Sequence, residues 1–164
     1  MKGSDPVLKI TSKPYGEINI DEQKIIRISG GLFGFEDYEK YVIIGKQQEQ
    51  PFEWLQSVKN STLAFVIVQT RVIKPDYKLS ISTDDLTRIK AESTDNLTIY
   101  SIVVVPADPQ KMTVNLRGPL IINRNNFLGK QVINQVDDYT VRHQVLDVLK
   151  KSGKTDLLRE GGPG

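Results

Sequence analysis

The chain has 164 residues, 38% of them hydrophobic and 26% charged, a balance that fits one soluble folded domain with a real core and excludes a disordered chain. Its 22 basic and 20 acidic residues leave a formal net charge of +2, spread evenly along the sequence, so no basic arm recommends a nucleic-acid partner. No apolar run approaches the length of a membrane span, no apolar export signal opens the chain and there is no cysteine, so a cytoplasmic location is expected.

Residues 1–14 read as a flexible leader into the domain, with Met1-Lys2-Gly3-Ser4 resembling the remnant of a cloning junction. The domain is expected over 15–151. Gly16 to Ile20 alternates, with Ile18 and Ile20 on one face; Lys24 to Ile28 and Tyr41 to Ile44 are further short strands, each stopped by glycine. Leu63 to Val68 is continuously apolar, as a strand covered on both faces would be. Ser82 reads as the N-cap of a short helix over about 82–90, with Asp84 and Asp85 in its first turn and Leu86 and Ile89 facing inward. Leu97 to Val105 is a strand ended by Pro106. Met112, Val114 and Leu116 then alternate with Thr113, Asn115 and Arg117 until Gly118-Pro119 interrupts. Leu120 to Ile122 and Lys130 to Val136 complete the strands. A second helix is expected over about 138–151, with Val141, Val145, Val148 and Leu149 as its stripe and Gly153 as its stop, followed by a flexible tail over 152–164. Many short strands between Gly, Pro and Asn turns predict a mostly β, small antiparallel barrel-like or sandwich domain, with one or two short helices.

Catalytic chemistry finds little to work with. His143 is the single histidine, and no Gly-x-Ser-x-Gly elbow accompanies it. Cysteine and histidine zinc sites are excluded by count. Asp84-Asp85 and Asp137-Asp138 are adjacent in sequence and suit helix caps better than an acid–base pair. The expectation is a protein that is not an enzyme, needs no cofactor or metal, and works by binding.

The stretch from Gly31 to Glu36 places Leu32, Phe33 and Phe35 between glycines. It either tucks Leu32 and Phe35 into the core or offers an aromatic anchor at an interface. Pro51 to Ser57 carries the single tryptophan, Trp54, with Phe52 and Trp54 as core candidates and Gln56 and Ser57 as polar ones. Asn115 is disfavoured in a strand, so it is either a solvated face residue or joins Gln56 and Asn123 in one polar patch suited to another protein's backbone. The candidate partner-binding residues are therefore Phe35, Glu36, Gln56, Ser57, Thr113, Asn115, Arg117 and Asn123.

These stretches, in this order, resemble the flagellar assembly factor FliW family. The resemblance rests on Gly31-Leu32-Phe33-Gly34-Phe35-Glu36, Pro51-Phe52-Glu53-Trp54-Leu55-Gln56-Ser57, Leu63-Ala64-Phe65, Pro75-Asp76-Tyr77, Pro106-Ala107-Asp108-Pro109 and Met112-Thr113-Val114-Asn115-Leu116. Pro119, Ile122-Asn123, Gly129-Lys130-Gln131 and Tyr139-Thr140-Val141-Arg142-His143 continue it, so that it runs from Tyr15 to His143. It implies a small barrel-like fold without enzymatic activity. It also implies a cytoplasmic protein that binds newly made flagellin and, alternatively, the translational regulator CsrA, which then cannot repress flagellin mRNA. In two respects the chain departs from the family pattern. Gln69-Thr70-Arg71 stands where members usually carry Asp-Pro, and the net charge of +2 means that any acidic patch must be local, around Glu36, Asp37 and Glu39 or around Asp84 and Asp85. If the resemblance holds, Thr113, Asn115 and Arg117 lie at or beside a protein-binding surface. A barrel that binds RNA directly is the rival reading, and a monomer is expected.

Overall fold

Alternating and continuous apolar runs become eleven short strands in the computed structural model, which describes residues 6–145. Strands β1 (Val7–Ser12) and β2 (Gly16–Asp21) form a hairpin of their own. The others belong to one sheet: β3 (Ile26–Ile28), β4 (Lys40–Ile44), β5 (Phe52–Ser57), β6 (Ala64–Gln69), β7 (Leu97–Val104), β8 (Thr113–Val114), β9 (Leu120–Asn123), β10 (Leu128–Gln131) and β11 (His143–Gln144). Seven of these close a barrel in the order β7-β6-β5-β4-β3-β10-β9, because β9 pairs back onto the first half of β7. The second half of β7 holds β8 at Val103 and Val104, and β11 pairs with β8. Every neighbouring pair in the ring is antiparallel except β3 and β10, which run parallel. Closure gives each of these seven strands a neighbour on both sides, where a flat sheet of seven would leave two free edges.

Strand alternation sorts the apolar side chains into three layers. Ile26, Ile28, Tyr41, Leu55, Ile67, Tyr100, Leu120 and Ile122 fill the barrel. On its outer surface Val66, Val68, Ile99, Val103 and Ile121 pack with Ile73, Tyr77, Ile89, Met112, Val114 and Leu116 from the connecting segments. The run Leu63 to Val68 is thus covered on both faces, as its continuous apolarity predicted. Ile10 and Ile20 of the hairpin cover Val42 on the back of β4.

Helix α1 (Thr70–Ile73) occupies the position where the family motif departs, and its Thr70 Oγ1 lies 2.7 Å from Ser101 Oγ in the buried outer layer. Helix α2 (Thr83–Arg88) forms where the capping signal placed it: Asp85 N donates to Ser82 Oγ at 3.1 Å. Asp85 also meets Lys130 Nζ at 3.0 Å in a partly buried pair.

Four expectations need correction. Within the stretch 1–14, residues 7–12 form β1 rather than a leader, because Leu8 and Ile10 pair with Ile20 and Ile18 and Ser12 Oγ ties the turn to Gly16 O. The expected strand from Met112 to Arg117 pairs regularly only over Thr113–Val114, since Asn115 turns the chain. The expected strand Lys130 to Val136 stops at Gln131. Beyond it, Asn134 N donates to Arg117 O and Gln135 N to Ser80 O, which bends the segment across the barrel. Residues 138–144 of the second expected helix are turns followed by β11, because Leu116 N donates to Thr140 O and the edge of β8 recruits His143 and Gln144. The remainder of that helix from residue 146, its stop at Gly153, the tail 152–164 and residues 1–4 lie outside the described residues.

Candidate functional site

The loop between β3 and β4 folds over one end of the barrel. Gly30, Gly31 and Gly34 adopt φ of 75°, 70° and 87°, and at Gly31 a Cβ would lie 2.7 Å from Phe35 O, so no other residue fits there. The sharp turn divides the three large apolar side chains between Gly31 and Glu36. Leu32 is 1% exposed and joins the barrel interior. Phe33 and Phe35 are 51% and 40% exposed. The reading that tucks both Leu32 and Phe35 into the core holds for Leu32 and fails for Phe35, which is on the surface. Phe35 lies edge-on to Phe65 with centroids 5.2 Å apart, which orients its ring without burying it.

Polar contacts fix the loop from both sides. Phe35 N donates to Leu32 O at 2.8 Å, and Gly30 N donates to Glu39 Oε2 at 3.1 Å. Glu36 accepts from Gly34 N at 2.9 Å, and that backbone N–H holds its carboxyl below the ordinary glutamate range. Deeper in, Phe33 N donates to Oε1 of buried Gln131 at 2.8 Å, whose Nε2 donates to Gly118 O at 3.0 Å. Asn115 Oδ1 in turn accepts from Arg117 N and Gly118 N at 3.1 and 2.8 Å. A relay of two amide side chains thus connects the turn after β8 to the exposed aromatics.

Beside the loop lies an open cleft of about 270 Å³, lined by Glu36, Asp37, Glu39, Lys40, Ser57 and Lys59, with Tyr38 on its wall. Three carboxylates against two ammonium groups make it locally acidic on a chain of net positive charge. Asp84 and Asp85, the other candidate patch, are instead engaged with Arg88 and Lys130.

Of the predicted binding residues, Phe35, Glu36 and Ser57 come together around this loop and cleft. Ser57 forms part of the cleft's buried floor, and its Oγ accepts from Asn60 N at 3.0 Å. Thr113, Asn115 and Arg117 are half-buried, opposite the fully buried row Met112, Val114 and Leu116. Asn115 is thus neither a buried, fully bonded core residue nor a free surface amide; it caps a turn behind the loop. Gln56 and Asn123 do not join it in a patch, because both are buried and occupied elsewhere. Gln56 Oε1 accepts from Lys13 N at 2.8 Å while its Nε2 donates to Ser57 O. Asn123 Nδ2 donates to Ile89 O at 3.0 Å and its Oδ1 accepts from Asn125 N. The sequence reading overlooked Phe33, Gln131 and Lys59 as parts of the site. For Phe33 a signal existed, since a turn between Gly31 and Gly34 cannot point consecutive side chains the same way. For Gln131 there was none, because its partner is 98 residues away.

Comparison with known proteins bears on what such a surface serves. The FliW protein family model matches residues 9–145. The chain is 44% identical over 138 residues to the flagellar assembly factor FliW of Ruminiclostridium cellulolyticum, which covers 84% of this chain and 93% of the relative. To that of Alkaliphilus metalliredigens it is 39% identical over 158 residues, covering 93% and 98%. A crystal structure of the flagellar assembly factor FliW superposes with a TM-score of 0.77 at 32% identity, covering 84% of this chain and 96% of that one.

Proposed function

This chain belongs to the FliW family of flagellar assembly factors, and from that premise we propose that it binds newly made flagellin and, alternatively, the translational regulator CsrA in the cytoplasm. While CsrA is held it cannot repress flagellin mRNA. Flagellin draws the factor away, so that synthesis of the filament protein follows its assembly. The family is one of assembly factors and not of enzymes, and the work is done by partner exchange at a surface.

The observation that carries this reading is the loop 29–39: two exposed phenylalanines on a rigid turn beside a locally acidic cleft. Rigid aromatic side chains lose little entropy on docking and dominate binding at protein interfaces. The carboxylates of Glu36, Asp37 and Glu39 complement a basic, RNA-binding partner and would steer it to the surface. Among the described residues no helix is long and apolar enough to cross a membrane.

Calorimetric titration of the chain with CsrA and with flagellin, and then of each in the presence of the other, tests the proposal. One-to-one binding of both, with flagellin displacing CsrA and Phe35→Ala weakening CsrA about tenfold or more, is the expected result. Absence of binding to both proteins, or binding to CsrA that ignores Phe35→Ala and Phe33→Ala, would sink it.

A further inference from the structure

The opposite end of the barrel is open. Ile26, Ile43 and Ile122 form most of the floor of a recess of about 170 Å³, with Tyr100 and Thr98 of β7 beside them, Phe127 on one wall, and Lys24 and Arg124 on the rim. The isoleucines are the end of the barrel core: Ile26 and Ile122 are each 4% exposed, and Ile43 is half-buried. Phe127 is held at φ 58°, a conformation that bulky side chains avoid. The turn over-determines it: Phe127 N donates to Asn123 O at 2.9 Å and Leu128 N to Asn126 Oδ1 at 2.9 Å.

The two cations have exposed side chains, and neither pairs with a carboxylate among the described residues. Arg124 Nη2 donates to the carbonyl oxygen of Asp95 at 3.3 Å, which draws the guanidinium along the rim and leaves its other N–H groups for a ligand. An aliphatic floor beneath an unpaired pair of cations has a definite complement. We propose that this recess docks an acidic protein segment, which seats one isoleucine, leucine or valine side chain on the floor and places a neighbouring aspartate or glutamate between Lys24 and Arg124. The volume suits one branched side chain. A single-stranded RNA would satisfy the cations and could use only Phe127 and the 8%-exposed Tyr100 for stacking, whereas the three isoleucines suit an aliphatic side chain, so the observations favour the peptide and the oligouridylate titration below decides between them. The inference does not depend on which partners the acidic end takes.

The test is amide-resolved NMR titration of the full chain with a short blocked peptide centred on Asp-Ile-Glu. Shifts gathered on Thr98, Ile122, Arg124 and Phe127, with a dissociation constant on the order of millimolar, are expected. Replacing the central residue to give Asp-Ala-Glu should abolish them, and the pair Lys24→Glu with Arg124→Glu should weaken binding roughly tenfold. Both positions are exposed, and the same spectrum reports that the fold is retained. No shifts at this end, equal shifts with a Lys-Ile-Lys peptide, or tighter binding there by an oligouridylate would overturn the proposal.

Discussion

The two ends of one barrel are finished in different ways. At one end the β3–β4 loop drives Leu32 into the core and spends its remaining aromatics on solvent. At the other end the barrel residues stop at an open recess whose rim is charged and whose floor is hydrocarbon. The contrast teaches that a closed barrel supplies stability from its walls, so the ends are free to diverge in shape and in sign of charge. One end is acidic and stoppered, the other basic and open.

The sharpest way to break that comparison is the same truncation at both ends. Leu32→Ala removes a fully buried side chain and should cost about 3 kcal/mol in urea unfolding, whereas Ile43→Ala, half-exposed in the recess, should cost about 1 kcal/mol. Equal losses would mean that the open end is closed in solution. Next, Gln131→Met fills the space of the amide but strands Phe33 N and Gly118 O, and should cost about 2 kcal/mol. Hydrogen exchange at the Phe33 amide should quicken more than the global loss of stability accounts for; an unchanged rate would show that the loop does not depend on the relay. Phe35→Ala should cost only about 1 kcal/mol, from its edge contact with Phe65. A loss several times larger would make Phe35 core and not surface.

The smallest effect is in proton affinity. Glu36 at the acidic end is held below the ordinary glutamate range by Gly34 N–H, while Glu53 on β5, whose charge is felt by Tyr100 at the open end, is pushed above it by burial. Glu36 contributes stability present above its unfolded value and lost as pH falls through its folded one. Glu53 contributes stability present below its unfolded value and lost as pH rises through its folded one. Side-chain carboxyl NMR between pH 2 and 8 should find Glu36 titrating first and Glu53 last of the two; the reverse order would contradict both environments.

How much of this could be read from the residues alone depends on how local each cause is. The cap at Ser82, the two-sided burial of Leu63 to Val68 and the inward row Met112, Val114 and Leu116 all follow from neighbours a few positions apart, and all three appear in the fold. The chain after Asp137 misled because Val141 and Val145 fit a helical period, yet Val141 is exposed. What decides that segment is distant: Tyr139 stacks on Tyr77 with centroids 4.6 Å apart, and β8 offers an unpaired edge. The amides were opaque for the same reason. Gln56, Asn115, Asn123 and Gln131 look alike as sequence, and only the backbone groups brought to them by the fold decide which stands near a surface and which staples a loop.

An odd cycle cannot alternate. A ring of strands that reverses direction at every step must have an even number of members, so a ring of seven is obliged to contain a mismatch, and here the mismatch is the parallel pair β3 and β10. Its two strands lie about a hundred residues apart in the chain and share only two registered positions, Leu128 with Arg27 and Gly129 with Ile28. Like β3 with β4 it is a short stitch of the cylinder, and by loop-closure entropy it is a late one to form. The stoppering loop leaves from one end of this stitch and the turn that holds Phe127 enters at the other. Parity requires one such joint in a ring of seven, and in this chain it runs between the two candidate docking ends.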